Sequence, residues 1–142
     1  MSDARYTGRC FCGAVQIEVK GDPAVSAYCH CKDCCRWLAA PIHGATLWKT
    51  GDVRVVQGAE LLGTYKKTDR SHRQFCTRCG GGVMVGHPGM GMIDVMSEVI
   101  PDYPFRPTMH VNYESKSISM RDGLPKYKGF PRPDGSGDML PD

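Results

Sequence analysis

The chain has 142 residues, 41% hydrophobic and 23% charged, which is the size and composition of one soluble globular domain. No apolar run approaches the roughly 20 residues that span a bilayer, and the polar N-terminus lacks the apolar core of a secretion signal. A net charge of +3 is too small to indicate nucleic-acid binding. We therefore expect a cytoplasmic protein that uses neither a membrane nor nucleic acid, as a monomer or a homo-oligomer.

The predicted elements are short and mostly extended. Residues 1–8 are expected to be a disordered lead, and the alternation of Val15, Ile17 and Val19 with polar residues predicts a strand over 14–21. One short helix is predicted within 31–40, ahead of Pro41. The other predicted strands lie, in chain order, at 24–29, at two positions within 42–58 on either side of a turn at 50–52, and at 60–67, 71–76, 82–88, 92–100 and around 110–112.

The domain organisation follows from this pattern and from the turn-forming residues. The 17 glycines and 10 prolines favour turns over long helices. Residues 1–130 are expected to form a single domain, and 131–142, rich in proline and glycine, a flexible C-terminal tail. The sequence thus predicts a small, mostly β domain with at most one or two short helices. Its core would be thin, so a structural metal would help to stabilise it.

Eight cysteines are the strongest chemical signal in the chain. An even number would suit disulfides in a secreted protein, but a cytoplasmic chain keeps its thiols reduced. Clustered reduced thiols indicate metal binding or catalysis. Seven of the eight form three groups: Cys10 with Cys12; Cys29, Cys31 and Cys34; and Cys76 with Cys79.

The first and last groups together predict a closed metal site. Cys76 and Cys79 have the spacing of a zinc-binding turn, with Gly80 placed where a tight turn needs it. Cys10 and Cys12 point the same way in an extended segment and can supply the two missing ligands. Four thiolates around Zn²⁺ would form a structural site that joins distant segments of the chain.

The middle group offers three ligands, Cys29, Cys31 and Cys34, which is typical of a zinc ion with one position open to substrate. A redox pair at Cys31 and Cys34 is an alternative, although the usual βαβ context is missing. A second structural zinc, with Cys35 or a histidine as fourth ligand, is another. His30 is expected to point away from its neighbours as a second-layer or exposed group. Lys32 and Arg36 could bind the carboxylates of an acidic thiol.

Three motifs, GRCFCGAV (8–15), YCHCKDCCRW (28–37) and FCTRCGGGV (75–83), resemble the glutathione-dependent formaldehyde-activating enzyme family, which includes centromere protein V. DGLPKY (122–127) is similar to the family's closing motif, so the resemblance covers about residues 5–127. It implies an Mss4-like β-sheet fold and two zinc ions, one structural on Cys10, Cys12, Cys76 and Cys79 and one of catalytic type on Cys29, Cys31 and Cys34.

The activity that the resemblance implies is the condensation of glutathione with formaldehyde to S-hydroxymethylglutathione, formally a carbon–sulfur lyase run in reverse. The chain departs from the family pattern by doubling the cysteine at Cys34 and Cys35 before Arg36. A non-catalytic zinc module that binds another macromolecule is the competing interpretation. Two zinc–thiolate sites would bring the net charge near zero, which argues against nucleic acid as that partner.

Overall fold

The computed structural model describes residues 3–142, and the protein is mostly β, as the sequence predicts. Its single α-helix is α1 (Lys32–Leu38) in the described part of the chain. The strands, in chain order, are β1 (Arg5–Arg9), β2 (Gln16–Lys20), β3 (Val25–Cys29), β4 (His43–Lys49), β5 (Val53–Gln57), β6 (Leu62–Thr68), β7 (Ser71–Cys76), β8 (Gly82–His87), β9 (Met92–Met96) and β10 (His110–Val111).

The chain divides into two compact units. The first comprises the residues up to Ala24 together with Thr46–Phe105, and the second comprises Val25–Ala45 and Arg106–Asp142. The chain passes from the second unit to the first within β4. The expectation of one domain over 1–130 stays a prediction.

In the first unit, β1, β2 and β5 form an antiparallel sheet in the order β1-β2-β5. The alternation predicted for β2 is confirmed, because Val15, Ile17 and Val19 have no exposed surface. Such burial of branched apolar side chains is the main source of stability in a small sheet.

The expectation that residues 1–8 are disordered is wrong for the part that the structure describes. Arg5–Arg9 is a strand that pairs in full with β2. The sequence of β1 lacks apolar alternation, so its order comes from contacts with other parts of the unit. The strand pairs with the backbone of β2, and the ring centroids of Tyr6 and Tyr103 lie 5.2 Å apart. Gly8 contributes by allowing a close approach. A Cβ on Gly8 would lie 2.7 Å from Ile100, so only glycine permits this approach. The first two residues of the predicted lead lie outside the described residues.

The first unit also contains an antiparallel meander in the order β9-β8-β7-β6. Beside β9, the hydroxyl of Thr46 donates to the carbonyl of Val95 at 2.6 Å and accepts from the indole N–H of Trp48 at 2.9 Å. Trp48 is fully buried, so this bond satisfies its polar atom. The predicted hairpin of β7 and β8 is confirmed, and it ends in the turn that carries Cys76 and Cys79.

The second unit contains the middle cysteine group. Strand β10 pairs with β3 in parallel, with Val111 opposite Cys29. A small core of Ala27, Cys29, Ala45 and Val111 packs against Cys31 and Cys34, among others. The predicted helix is confirmed, and Cys31 is its N-cap residue.

Near the C-terminus the amide of Leu140 donates to the carbonyl of Lys126 at 2.8 Å.

No helix within residues 3–142 combines the length and the apolar character required to span a membrane.

Gly58 supports the loop that carries the first two cysteines, and replacing it should be costly. Its φ is +75°, and an added Cβ would clash with the carbonyl oxygen of Ala14. We expect Gly58→Ala to lower the free energy of unfolding by at least about 2 kcal/mol, because strain and a backbone clash act together. Gly51→Ala is the matched control, since nothing lies within 4 Å of its Cβ position. Equal stability of the two variants in chemical denaturation would contradict this view of the loop.

Candidate functional site

Cys10, Cys12, Cys76 and Cys79 come together in the first unit, and their sulfur atoms all lie within 4.8 Å of one another. Sγ of Cys12 is 3.7 Å from Sγ of Cys10 and 3.9 Å from Sγ of Cys76. Four sulfurs placed at about 2.3 Å around a tetrahedral ion stand about 3.8 Å apart. The four thiols could therefore hold one metal ion with little rearrangement.

The backbone around these four cysteines is folded to stabilise negative charge on sulfur. Each of the four sulfurs accepts a hydrogen bond from a backbone amide. The donors are Val15 for Cys10 at 3.3 Å, Ala14 for Cys12, Arg78 for Cys76 at 3.3 Å and Gly81 for Cys79 at 3.4 Å. Gly13 and Gly80, at φ +81° and +77°, allow the tight turns that aim these amides. Each sulfur thus has a backbone donor that favours the thiolate, which is the form that binds a metal.

The pKa values of these thiols follow from this network. The amides of Gly81 and Cys12 lower the pKa of Cys79 to about 6. Burial opposes ionisation of Cys10, but the amide of Val15 and the thiols of Cys12 and Cys76 hold its pKa below the ordinary value. The amide of Ala14 lowers the pKa of Cys12, yet the three neighbouring thiols raise it to about 11. The cluster is an anionic one that a thiophilic cation would neutralise.

Cys29, Cys31 and Cys34 come together in the second unit, at the junction of β3 and α1. Each of the three thiols interacts with the other two and shifts their pKa values. Cys31 and Cys34 are three residues apart across the start of the helix, so they share one of its faces. Cys35, one position further, is buried, and burial raises the pKa of its thiol.

Of the three thiols, Cys31 ionises most readily. Hydrogen bonds from Cys29 and Cys34 hold the pKa of Cys31 far below its usual range. Cys31 in turn raises the pKa of Cys29 to about 11, although Cys34 acts in the opposite direction. Bonds with Cys29 and then Cys31 also raise the pKa of Cys34. One thiolate flanked by two thiols is a soft, nucleophilic centre that can also bind a metal.

The two basic residues predicted to bind substrate are both exposed on α1, at positions i and i+4. Nζ of Lys32 donates to the hydroxyl of Ser117 at 3.1 Å. Arg36 lies in the last turn of the helix. Residues four apart share a helix face, so the structure places two cations on one side of α1.

Asn112 is a candidate site residue that the sequence did not indicate. Its Nδ2 donates to Sγ of Cys29 at 3.4 Å, which partly offsets the rise that Cys31 causes in the pKa of that thiol. Its φ of +54° is unusual for a residue other than glycine, although asparagine tolerates this region best. Asn112 and Cys29 are 83 positions apart, so no local pattern could reveal their contact. A conformation held in this region beside a sulfur cluster points to a functional constraint.

His30 and His110 are the other residues whose role the sequence did not show. Both are fully buried, and Nε2 of His30 lies 2.8 Å from Nδ1 of His110. Nε2 of His110 lies 2.7 Å from Oδ2 of Asp122. Burial, followed by the charge of His110, lowers the pKa of His30 to about 4. The alternative of an exposed His30 is therefore wrong, because the ring takes part in a buried hydrogen-bond chain.

Comparison with known proteins gives the family. A family model described as glutathione-dependent formaldehyde-activating enzyme matches residues 5–115. A crystal structure of a Rhodobacter sphaeroides protein is similar, with 28% identity and a TM-score of 0.58 over 69% of this chain and 90% of that one. No curated protein matches this chain. The family match spans both cysteine clusters, and the chain belongs to the glutathione-dependent formaldehyde-activating enzyme family.

Proposed function

We propose that the protein is a zinc-dependent enzyme of the carbon–sulfur lyase type that joins glutathione and formaldehyde as S-hydroxymethylglutathione. The observation that carries this proposal is the trio of interacting thiols, Cys29, Cys31 and Cys34, in a chain of this family. Three sulfur ligands leave a fourth position for the sulfur of a substrate. In the reaction the S–H bond of glutathione breaks and a carbon–sulfur bond forms, the carbonyl electron pair moves to oxygen, and that oxygen takes up the proton that the thiol has lost.

Two zinc ions are part of the proposal. Cys10, Cys12, Cys76 and Cys79 would hold one in a closed, structural site, which their spacing and their backbone donors support. Cys29, Cys31 and Cys34 would hold the other. When bound there, zinc supplies a thiophilic Lewis acid that stabilises a substrate thiol as the thiolate. Thiolate donors favour zinc over hard cations such as Mg²⁺ and Ca²⁺.

The chain's own residues would orient the substrate. The amide of Asn112 donates to Cys29 and so fixes one sulfur of the trio. Lys32 and Arg36, both exposed on α1, would bind the two carboxylates of glutathione. None of the eight cysteines forms a disulfide within residues 3–142, which suits a reducing compartment, and we propose the cytoplasm.

Arg36→Ala should weaken the binding of glutathione to the zinc-loaded protein by about five- to tenfold, because a charge-assisted contact to a carboxylate is lost. Isothermal titration calorimetry measures this directly. Lys66→Ala is the matched control, since Lys66 is also exposed and basic but lies on β6. Unchanged affinity in Arg36→Ala would remove that residue from the site. No binding of glutathione to the wild-type protein would reject the proposed function.

A non-catalytic zinc module remains the second candidate because of one surface feature. Phe11 lies between two cysteines of the first cluster and is 92% exposed. A large apolar side chain presented on a rigid metal-binding loop suits contact with another protein. A protein that binds about two zinc ions but shows no affinity for glutathione or other thiols would favour this candidate.

A further inference from the structure

The side chain of Asn112 does not do what an asparagine at its position usually does. Asn112 is the N-cap residue of the short 3-10 helix Tyr113–Ser115, a position where an asparagine side chain commonly accepts from a nearby backbone amide. No such bond forms here. Its Nδ2 instead donates to Sγ of Cys29 at 3.4 Å, across 83 positions of the chain. The amide thus serves the middle cysteine cluster and not the local backbone.

The backbone on both sides fixes the point from which this side chain leaves. The N–H of Asn112 donates to the carbonyl of Gly129 at 2.8 Å, and its carbonyl accepts from the amide of Ser115 at 3.0 Å. The preceding residue, Val111, lies opposite Cys29 in the parallel pairing of β10 with β3. Both polar backbone groups of Asn112 are therefore bonded within the second unit, which holds the amide beside the cluster.

The oxygen of the same amide is left without a partner. Nδ2 is the atom next to Cys29, and a cysteine that binds a metal has lost its hydrogen, so its sulfur can only accept. Metal binding therefore favours the orientation that the structure shows. Oδ1 accepts no hydrogen bond from residues 3–142, and it keeps contact with solvent. An accessible acceptor held next to a sulfur cluster suits a donor that arrives with a ligand.

We propose that Asn112 is a specificity-determining residue of the thiol site, and that its Oδ1 accepts a hydrogen bond from the N–H group beside the thiol of an N-acylated cysteine. The peptide nitrogen of such a compound is only two carbons from its sulfur, so a sulfur bound next to Cys29 carries this donor toward Asn112. Simple thiols lack the group. The inference rests on the proposed function, because it requires a thiol bound at Cys29, Cys31 and Cys34.

The experiment compares thiols that differ at this N–H group. N-acetylcysteine has it, 3-mercaptopropionate is the same molecule without the acetamido group, and N-acetyl-N-methylcysteine keeps the acyl group but has no N–H. Calorimetry measures the affinity of each for the zinc-loaded protein. We expect the wild type to bind N-acetylcysteine about five- to tenfold more tightly than either of the other two, which is the effect of one hydrogen bond.

Asn112→Gly tests whether this preference comes from the amide. Glycine adopts a φ of +54° without strain, so the variant removes the side chain and keeps the backbone. We expect it to lose the preference for N-acetylcysteine. Glu114→Ala is the matched control, because Glu114 is exposed in the adjoining helix and its carboxylate lies 3.7 Å from the Lys128 ammonium. This control should keep the preference of the wild type. Zinc per chain and melting temperature are measured for each protein.

A preference of the same size in Asn112→Gly and the wild type would overturn this inference alone. So would a wild-type protein that binds N-acetyl-N-methylcysteine as tightly as N-acetylcysteine. That second comparison needs no variant, so it decides the matter even if Asn112→Gly fails to fold or loses a zinc ion. Absence of binding of every thiol to the wild type would overturn the proposed function, and this inference with it.

Discussion

Cys76→Ser is expected to unfold or aggregate the protein, with a loss of more than about 3 kcal/mol in the free energy of unfolding. Cys76 is fully buried, and its sulfur belongs to a cluster that joins segments 64 positions apart in the chain. The metal ion proposed there would stabilise the folded state outright, because no such site exists in the unfolded chain. The free energy of unfolding of a small domain is only about 5–15 kcal/mol, so this loss is a large part of the protein's stability.

Thermal melting together with zinc analysis checks this result. Cys35→Ser is the matched control, because it makes the same change at a buried cysteine outside the four-thiol cluster. We expect the free energy of unfolding of Cys35→Ser to fall by about 1–2 kcal/mol, and we expect this variant to keep the zinc ion of the four-thiol cluster. Similar melting temperatures for Cys76→Ser and the wild type would show that the four-thiol cluster is not a structural metal site.

Cys31→Ser is expected to leave a folded protein that contains about one zinc ion instead of about two and that has no activity on the thiol–aldehyde adduct. The three thiols Cys29, Cys31 and Cys34 lie within one short segment, so a metal ion there closes only a small loop and constrains the unfolded chain little. Interactions with Cys29 and Cys34 also lower the pKa of Cys31, so its loss removes the ligand of the trio that ionises most readily.

The comparison of interest is between the two serine variants at equal protein concentration. Melting temperature, zinc per chain and turnover are measured on each. If Cys31→Ser unfolds as readily as Cys76→Ser, the second cluster is structural and the proposed catalytic role loses its main support. If Cys31→Ser keeps full activity, the substrate thiol binds elsewhere.

The strands and the first cluster were predictable because their signals are local. Val15, Ile17 and Val19 alternate with polar residues, and a half-buried strand has the same period. Cys76 and Cys79 followed by Gly80 predicted a tight turn, and Gly80 has a positive φ. The spacing of the two cysteine pairs indicated that these four thiols meet, and the family resemblance implied the same four.

Strand β1 and the surroundings of the middle cluster could not be predicted in the same way. Strand β1 is ordered by its pairing with β2, a contact that its own sequence does not encode. His30 meets His110 across 80 positions, and Asn112 meets Cys29 across 83. These contacts depend on the parallel pairing of β10 with β3, and a two-residue strand leaves almost no periodicity to detect. His30 was expected to be a second-layer or exposed group, and its spacing from His110 carries no signal of their contact.

Native mass spectrometry of the zinc-loaded protein, with and without reduced glutathione, tests the central claim most directly. The account predicts about two zinc ions per chain, with glutathione bound to the form that holds both ions and not to the Cys31→Ser protein, which holds about one. Glutathione bound equally to the form with about one zinc ion, or a wild-type protein that never takes up a second ion, would contradict the assignment of Cys29, Cys31 and Cys34 as the thiol-binding metal site.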